Sequence, residues 1–137
     1  MKKSVFAAKN ENLDRVTEFI LEQLEAARFP KRTQMQIKLA VEEIFVNIAS
    51  YAYAKGTGTA DISVDITDGM VRITFEDSGA PFDPLAEKEP DVTLPAEKRR
   101  IGGLGIFLVR KLMDHVSYEY KDGKNVLTIE KKVGASA

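Results

Sequence analysis

Asp68-Gly69 stands between two runs of strict alternation, with Ala60, Ile62, Val64 and Ile66 on one side and Val71, Ile73 and Phe75 on the other. An Asp-Gly pair suits the positive backbone angles of a two-residue hairpin turn. A period of two puts the apolar side chains of both strands on one face. That face needs an apolar cover, and the cover lies upstream. Leu13, Val16, Ile20, Leu24 and Ala27 keep the three-and-four spacing of a helix that starts at a cap on Asn10 or Asn12 and runs to about Arg28, before Phe29-Pro30. A second helix is expected from about Lys31 to Ala54, with Ile37, Ala40, Val41, Ile44, Ile48 and Tyr51 or Ala52 as its buried stripe. Lys55-Gly56-Thr57-Gly58 then turns the chain into the hairpin, and Lys3 to Ala8 reads as a short opening strand.

Beyond the hairpin, Glu76 to Pro84 is rich in breakers, and no periodicity is sustained from there to Arg100. Pro84, Pro90 and Pro95 punctuate this stretch, which reads as a lid because long irregular segments in compact domains tend to be functional. Gly102-Gly103-Leu104-Gly105 opens a helix to about His115. Val116 to Tyr120 and Val126 to Lys131 read as two closing strands joined by Lys121-Asp122-Gly123-Lys124-Asn125. The order predicts an α+β fold, a two-layer sandwich whose mixed, mostly antiparallel sheet carries helices on one face, as a single domain over residues 1–137. Strands and helices do not alternate, and no G-x-G-x-x-G or P-loop pattern follows a strand, so a doubly wound nucleotide fold is excluded.

Charge and composition narrow the function. Twenty basic against twenty-one acidic side chains leave a net charge of -1, and no general field draws the chain to nucleic acid or to an anionic membrane. The absence of cysteine excludes disulfides, thiolate metal sites and cysteine nucleophiles. No run approaches the length of a membrane span and no signal-peptide core is present, so the expected location is the cytoplasm.

Three segments carry chemistry. The glycines before Ile106 feed a helix N-terminus, whose unpaired N–H groups attract an anion and whose missing Cβ atoms let a phosphate approach. A tight turn alone would use the same glycines. Glu43 and Asn47 are four residues apart, on one side of the second helix at the edge of its apolar stripe. A carboxylate there can take a proton from a hydroxyl, and an amide oxygen can ligate Mg²⁺; a solvated Glu and a satisfied Asn are the plain alternative. Glu42, about 100° further round, is expected to face solvent. Asp77 ends a strand before Ser78-Gly79, where a carboxylate can read the exocyclic amine of a base and Gly79 lets the ring lie on the backbone, with Pro81 and Phe82 as a floor. The alternative is an ordinary turn. Lys98-Arg99-Arg100 is either a solvated charge run or a group reaching a terminal phosphate. His115, the single histidine, reads as structural.

Taken in order, Glu42-Glu43-Ile44-Phe45-Val46-Asn47, Asp77-Ser78-Gly79-Ala80-Pro81-Phe82-Asp83-Pro84 and Gly102-Gly103-Leu104-Gly105-Ile106-Phe107-Leu108-Val109 resemble the motifs of the Bergerat-fold (GHKL) ATPases. Within that superfamily the chain is most similar to the bacterial anti-sigma factor serine/threonine kinases. The resemblance implies ATP and Mg²⁺ as cofactors. It implies Glu43 as general base, Asn47 as metal ligand, Asp77 as adenine-binding carboxylate and Gly79 as the glycine beneath the base. Arg100, Gly103, Leu104 and Gly105 would meet the phosphates. The implied partners are a STAS-type anti-anti-sigma protein as substrate, a sigma factor and a second copy in a homodimer. The chain departs from the family at Tyr51, where these kinases often have His, and its glycine box is shorter than that of sensor histidine kinases. The alternative function is a non-catalytic nucleotide-binding interaction module of the same fold.

Overall fold

A computed structural model describes residues 1–52, 58–81, 83–86 and 103–133. The elements in order are β1 (Lys2–Ala7), α1 (Leu13–Ala26), α2 (Lys31–Asn47), β2 (Thr59–Thr67), β3 (Met70–Asp77), α3 (Gly103–Leu112), β4 (His115–Lys121) and β5 (Lys124–Lys132). Short 3₁₀ turns lie at Asn10–Asn12 and Pro84–Ala86.

The sheet order is β1-β2-β3-β5-β4, and each pairing is antiparallel. The sheet is therefore antiparallel throughout among the described residues, within the antiparallel or mixed arrangement that the order of elements favours. The Asp68-Gly69 hairpin has the expected turn, with φ of 51° and 74°; the expected five-residue connection from Lys121 to Asn125 tightens to the same two-residue turn, Asp122 and Gly123 having φ of 54° and 76°. Alternation then sorts the side chains. Ile62, Val64, Val71, Ile73, Phe75, Leu127 and Ile129 are buried under the helices. The other face is polar, with cross-strand pairs such as Arg72 to Glu130 at 2.9 Å.

All three helices contribute to this one core: Val16, Ile20 and Leu24 from α1, Ile37, Val41, Ile44 and Phe45 from α2, and Ile106 and Val109 from α3, with Met113 just beyond it. α1 ends at Ala26, short of the predicted Arg28, because Arg28 takes a left-handed φ of 62°. The Phe29 N–H then bonds Leu24 O at 3.0 Å and the Arg28 N–H bonds Glu25 O at 2.9 Å, a Schellman cap that satisfies the last carbonyls without glycine. At the same corner Gln34 Nε2 donates to Phe29 O and to Glu25 Oε2, both at 2.8 Å. Lys31 Nζ also donates to Glu25 Oε2 at 2.8 Å. α3 stops at Leu112, and His115 starts β4 where the sequence suggested the end of a helix. Lys131 Nζ reaches across from β5 to cap Leu112 O at 2.7 Å.

α2 ends at Asn47 and gives way to a π-helical turn, Ile48–Ala52, where an unbroken helix to Ala54 was expected; 53 and 54 lie outside the described residues. The turn has a tertiary cause. It delivers the Ala52 carbonyl onto the chain just past β3, where the Ala80 N–H donates to it at 3.3 Å. A Cβ on Gly79 would lie 2.1 Å from that oxygen, so only glycine fits. The predicted lid, Pro84 to Arg100, lies almost wholly outside the described residues.

Two outcomes are expected. Gly79→Ala drives a methyl into backbone that cannot yield, and should lower the free energy of unfolding in urea by about 1–3 kcal/mol or more. The hydrogen bond from Lys31, then that from Gln34, holds the Glu25 carboxyl below its ordinary value of 4.5. A depressed carboxylate stabilises the fold above the unfolded value, and that contribution is lost as pH falls through the folded one. Glu25→Gln should therefore flatten the fall in melting temperature below about pH 4.5, and only slightly, since the pair is solvent-exposed.

Candidate functional site

Between the helical layer and the open end of the sheet lies a cavity of about 520 Å³ counted out to its mouth, only a small part of it enclosed. Ile44 and Ile48 wall it from α2 and the turn that follows, Phe75 and Leu127 from the sheet, and Ile106 from α3. Four polar side chains interrupt these apolar walls: Asn47, Asp77, Tyr118 and Asn125. A mostly apolar cleft with a few convergent polar groups is the ordinary form of a small-molecule site.

Asp77 is the last residue of β3 and points inward by the same alternation that buries Phe75, so it is 7% exposed. Its Oδ1 accepts the Gly79 N–H at 2.9 Å and the Asn125 amide at 2.9 Å. Its Oδ2 has no hydrogen-bond partner among the described residues, which leaves one carboxylate oxygen for a donor in the cavity. Asn125 is 6% exposed and stands opposite Asp77 in the β3–β5 register. Its amide nitrogen also donates to Ala80 O at 2.9 Å, and the Tyr118 hydroxyl donates to its carbonyl oxygen.

Asn47 lies on the opposite wall, half-buried, and its side chain makes no hydrogen bond among the described residues. An uncommitted amide at a cavity wall suits a ligand or metal oxygen role. Glu43 lies one turn earlier on α2, half-buried and outside the cavity lining. It too has no hydrogen bond or ion pair among the described residues, so its carboxylate is unengaged. Glu42 is half-buried rather than facing solvent freely.

The remaining candidates are placed as follows. Gly79 is next to the site, and its Cβ direction is filled by the Ala52 carbonyl, so protein packing alone requires the glycine. Pro81 is exposed and Phe82 lies outside the described residues; the proline that lines the cavity is Pro84. Gly103, Leu104 and Gly105 form the first turn of α3, which leads directly to Ile106 on the cavity wall. Arg100 lies outside the described residues. Arg110, which sequence reasoning passed over, ties α3 to the middle of the 84–86 turn by donating to Leu85 O at 2.7 Å.

Tyr118 and Asn125 were also missed as site residues, although Asn125 left a signal. Counting back by twos from Ile129 and Leu127 lands on Asn125, a polar residue at an inward position that must find buried partners. Tyr118 left none, because its role depends on which strand β4 pairs with.

Comparison with known proteins agrees with this geometry. Residues 6–131 match the family model described as a histidine kinase-like ATPase domain. The chain is similar to the serine-protein kinase RsbW of Listeria monocytogenes serovar 1/2a, 36% identical over 97 residues that cover 66% of this chain and 61% of that protein. It therefore spans about three fifths of the length of that relative. It is also similar to the serine/threonine-protein kinase BtrW of Bordetella bronchiseptica, 30% identical over 103 residues that cover 74% of this chain and 72% of that protein. Among solved structures, the RsbU and RsbW domains of a Mycobacterium tuberculosis protein superpose with a TM-score of 0.64 at 15% identity, covering 97% of this chain and 33% of that one. The catalytic domain of the histidine kinase ThkA superposes with a TM-score of 0.57 at 16% identity, covering 97% and 98%. At such identity the two structures speak to the fold alone. A matched segment running from β1 into β5, on a sandwich of this topology with Asp77 at the cavity, is sufficient: the chain belongs to the family of histidine kinase-like ATPase domains.

Proposed function

We propose that the chain binds ATP with Mg²⁺ and transfers the γ-phosphoryl group to a serine or threonine of a STAS-type anti-anti-sigma protein, and that it sequesters a sigma factor in the cytoplasm. The observation that carries this reading is Asp77, whose Oδ1 is held by two donors while Oδ2 remains available on a mostly apolar cavity. An acceptor so placed suits the exocyclic amine of adenine. The kinase names of the RsbW and BtrW relatives support the protein substrate.

In this reading Ile44, Ile48, Phe75 and Leu127 sandwich the base and exclude water around it. The Asn47 side-chain oxygen, uncommitted on the facing wall, would hold the metal, which when bound neutralises charge on the phosphates. The first-turn N–H groups of α3 at Gly103, Leu104 and Gly105 point a partial positive charge toward the same phosphates. Arg100 would reach the terminal one. Glu43, one turn from Asn47 and unengaged, would accept the proton of the attacking hydroxyl beyond the nucleotide rather than touch the base. In-line transfer then needs little from the protein beyond alignment and charge stabilisation.

A second reading, a nucleotide-holding interaction module without transfer, draws on the position of Glu43 outside the cavity lining. Incubation with γ-labelled ATP and a STAS protein separates the two. Asp77→Asn places an amide donor against the amine and should weaken ATP binding about ten- to a hundredfold by calorimetry. Glu43→Gln should cut phosphoryl transfer about a hundredfold or more and leave ATP affinity nearly unchanged, whereas Asn47→Ala should reduce Mg²⁺-dependent binding and transfer together. Transfer at the wild-type rate by Glu43→Gln would remove the base from this mechanism.

A further inference from the structure

We propose that Tyr118 and Asn125 are positioning residues that give the Asp77 end of the cavity a one-way hydrogen-bond polarity, and so select a 6-amino purine over a 6-oxo purine. The inference rests on the nucleotide reading above and concerns how this chain enforces base identity.

The polarity follows from the atoms. Around the Asn125 amide nitrogen lie three acceptors: Asp77 Oδ1 at 2.9 Å, Ala80 O at 2.9 Å and Gly79 O at 3.5 Å. Flipping the amide would set its carbonyl oxygen against all three oxygens, so the nitrogen must face Asp77. On the other side the amide oxygen can only accept, and the Tyr118 hydroxyl must therefore donate to it. The sequence of donors runs in one direction, from phenol to amide to carboxylate. It ends at Asp77, which is an acceptor on both oxygens when ionised and has Oδ2 left for the ligand. A purine with an amine at carbon 6 completes the series with its own N–H. A purine with a carbonyl there sets oxygen against oxygen, and the network cannot reverse because a flipped Asn125 amide would turn its own oxygen onto three acceptors.

Register holds the series together. Asp77 and Asn125 are directly opposed on β3 and β5, and Tyr118 opposes Leu127, one inward position from Asn125 on the same face. The three side chains thus stand on adjacent strands within diagonal reach. Asn125 is buried and Tyr118 half-buried, and both line the cavity, so the network is close enough to the ligand to set its orientation. Removal of either residue admits water, which donates and accepts in either sense and so relaxes the polarity without removing Asp77.

The test is calorimetric binding of ATP and of inosine triphosphate to the full chain and to Tyr118→Phe and Asn125→Ala. Wild type should prefer ATP by about a hundredfold or more. Tyr118→Phe should narrow that ratio about two- to tenfold, the worth of one neutral hydrogen bond, and Asn125→Ala should narrow it further. Tyr118→Phe changes one atom of a half-buried side chain and keeps the test open if Asn125→Ala fails to fold. Equal weakening of both nucleotides in the variants would mark the pair as merely structural and overturn the inference while ATP binding stands. An unchanged ratio would overturn it as well. A wild-type chain that binds neither nucleotide would overturn the nucleotide reading and this inference with it.

Discussion

The site depends first on the pairing of β3 with β5. These strands are 48 residues apart at the point where Asp77 meets Asn125, and β5 reaches β3 only because β4 takes the edge position beyond it. Two consequences follow from that order. The central strands, buried on one face, supply the sheet side of the apolar core, and the pair at their open end is polar because it faces a cavity rather than packed side chains. A slip of one residue in this register would turn Asp77 to the solvent face together with Phe75 and Ile73. The hydrophobic face therefore also fixes the Asp77 carboxylate at the cavity.

The second constraint ties the layers together. A sandwich of helices on a sheet is held by apolar contact, which is strong but tolerates sliding. The π-helical turn after α2 adds a directional link, since the Ala52 carbonyl is seated on Gly79 and bonded by the Ala80 N–H. Asn47 is the last residue of α2, immediately before that turn, and Asp77 is two residues before the glycine that receives it. The distance between the two polar walls of the cavity is thereby set by backbone. Departures from regular helix geometry often accompany functional sites, and here the departure has a local purpose in joining the two walls.

The cavity shows how much chemistry a small polar fraction can direct. Its walls are mostly aliphatic and aromatic, and Asp77, Asn125, Tyr118 and Asn47 are the polar side chains that a buried group would have to satisfy. Glu43, one turn before Asn47 on α2, is outside this lining, half-buried at the helix edge with its carboxylate unengaged. α3 joins this arrangement through Ile106 and is secured in its last turn, by Arg110 to Leu85 and by Lys131 to Leu112.

The sequence by itself determined the hairpins, the three helices and the layer arrangement, because these follow from local periodicity and from Asp-Gly turns whose backbone angles few other residues tolerate. Glu43, Asn47, Asp77 and the α3 glycines were legible as candidates for the same reason, since each is a local motif at a helix side, a strand end or a helix start. Tertiary structure alone decided the rest. The strictly antiparallel strand order, the end of α2 at Asn47, the use of Gly79 as a seat for Ala52, and the enlistment of Asn125 and Tyr118 all depend on residues far apart in the chain. No window of sequence contains both members of such a pair, and a hydrogen bond has no meaning until both are in place.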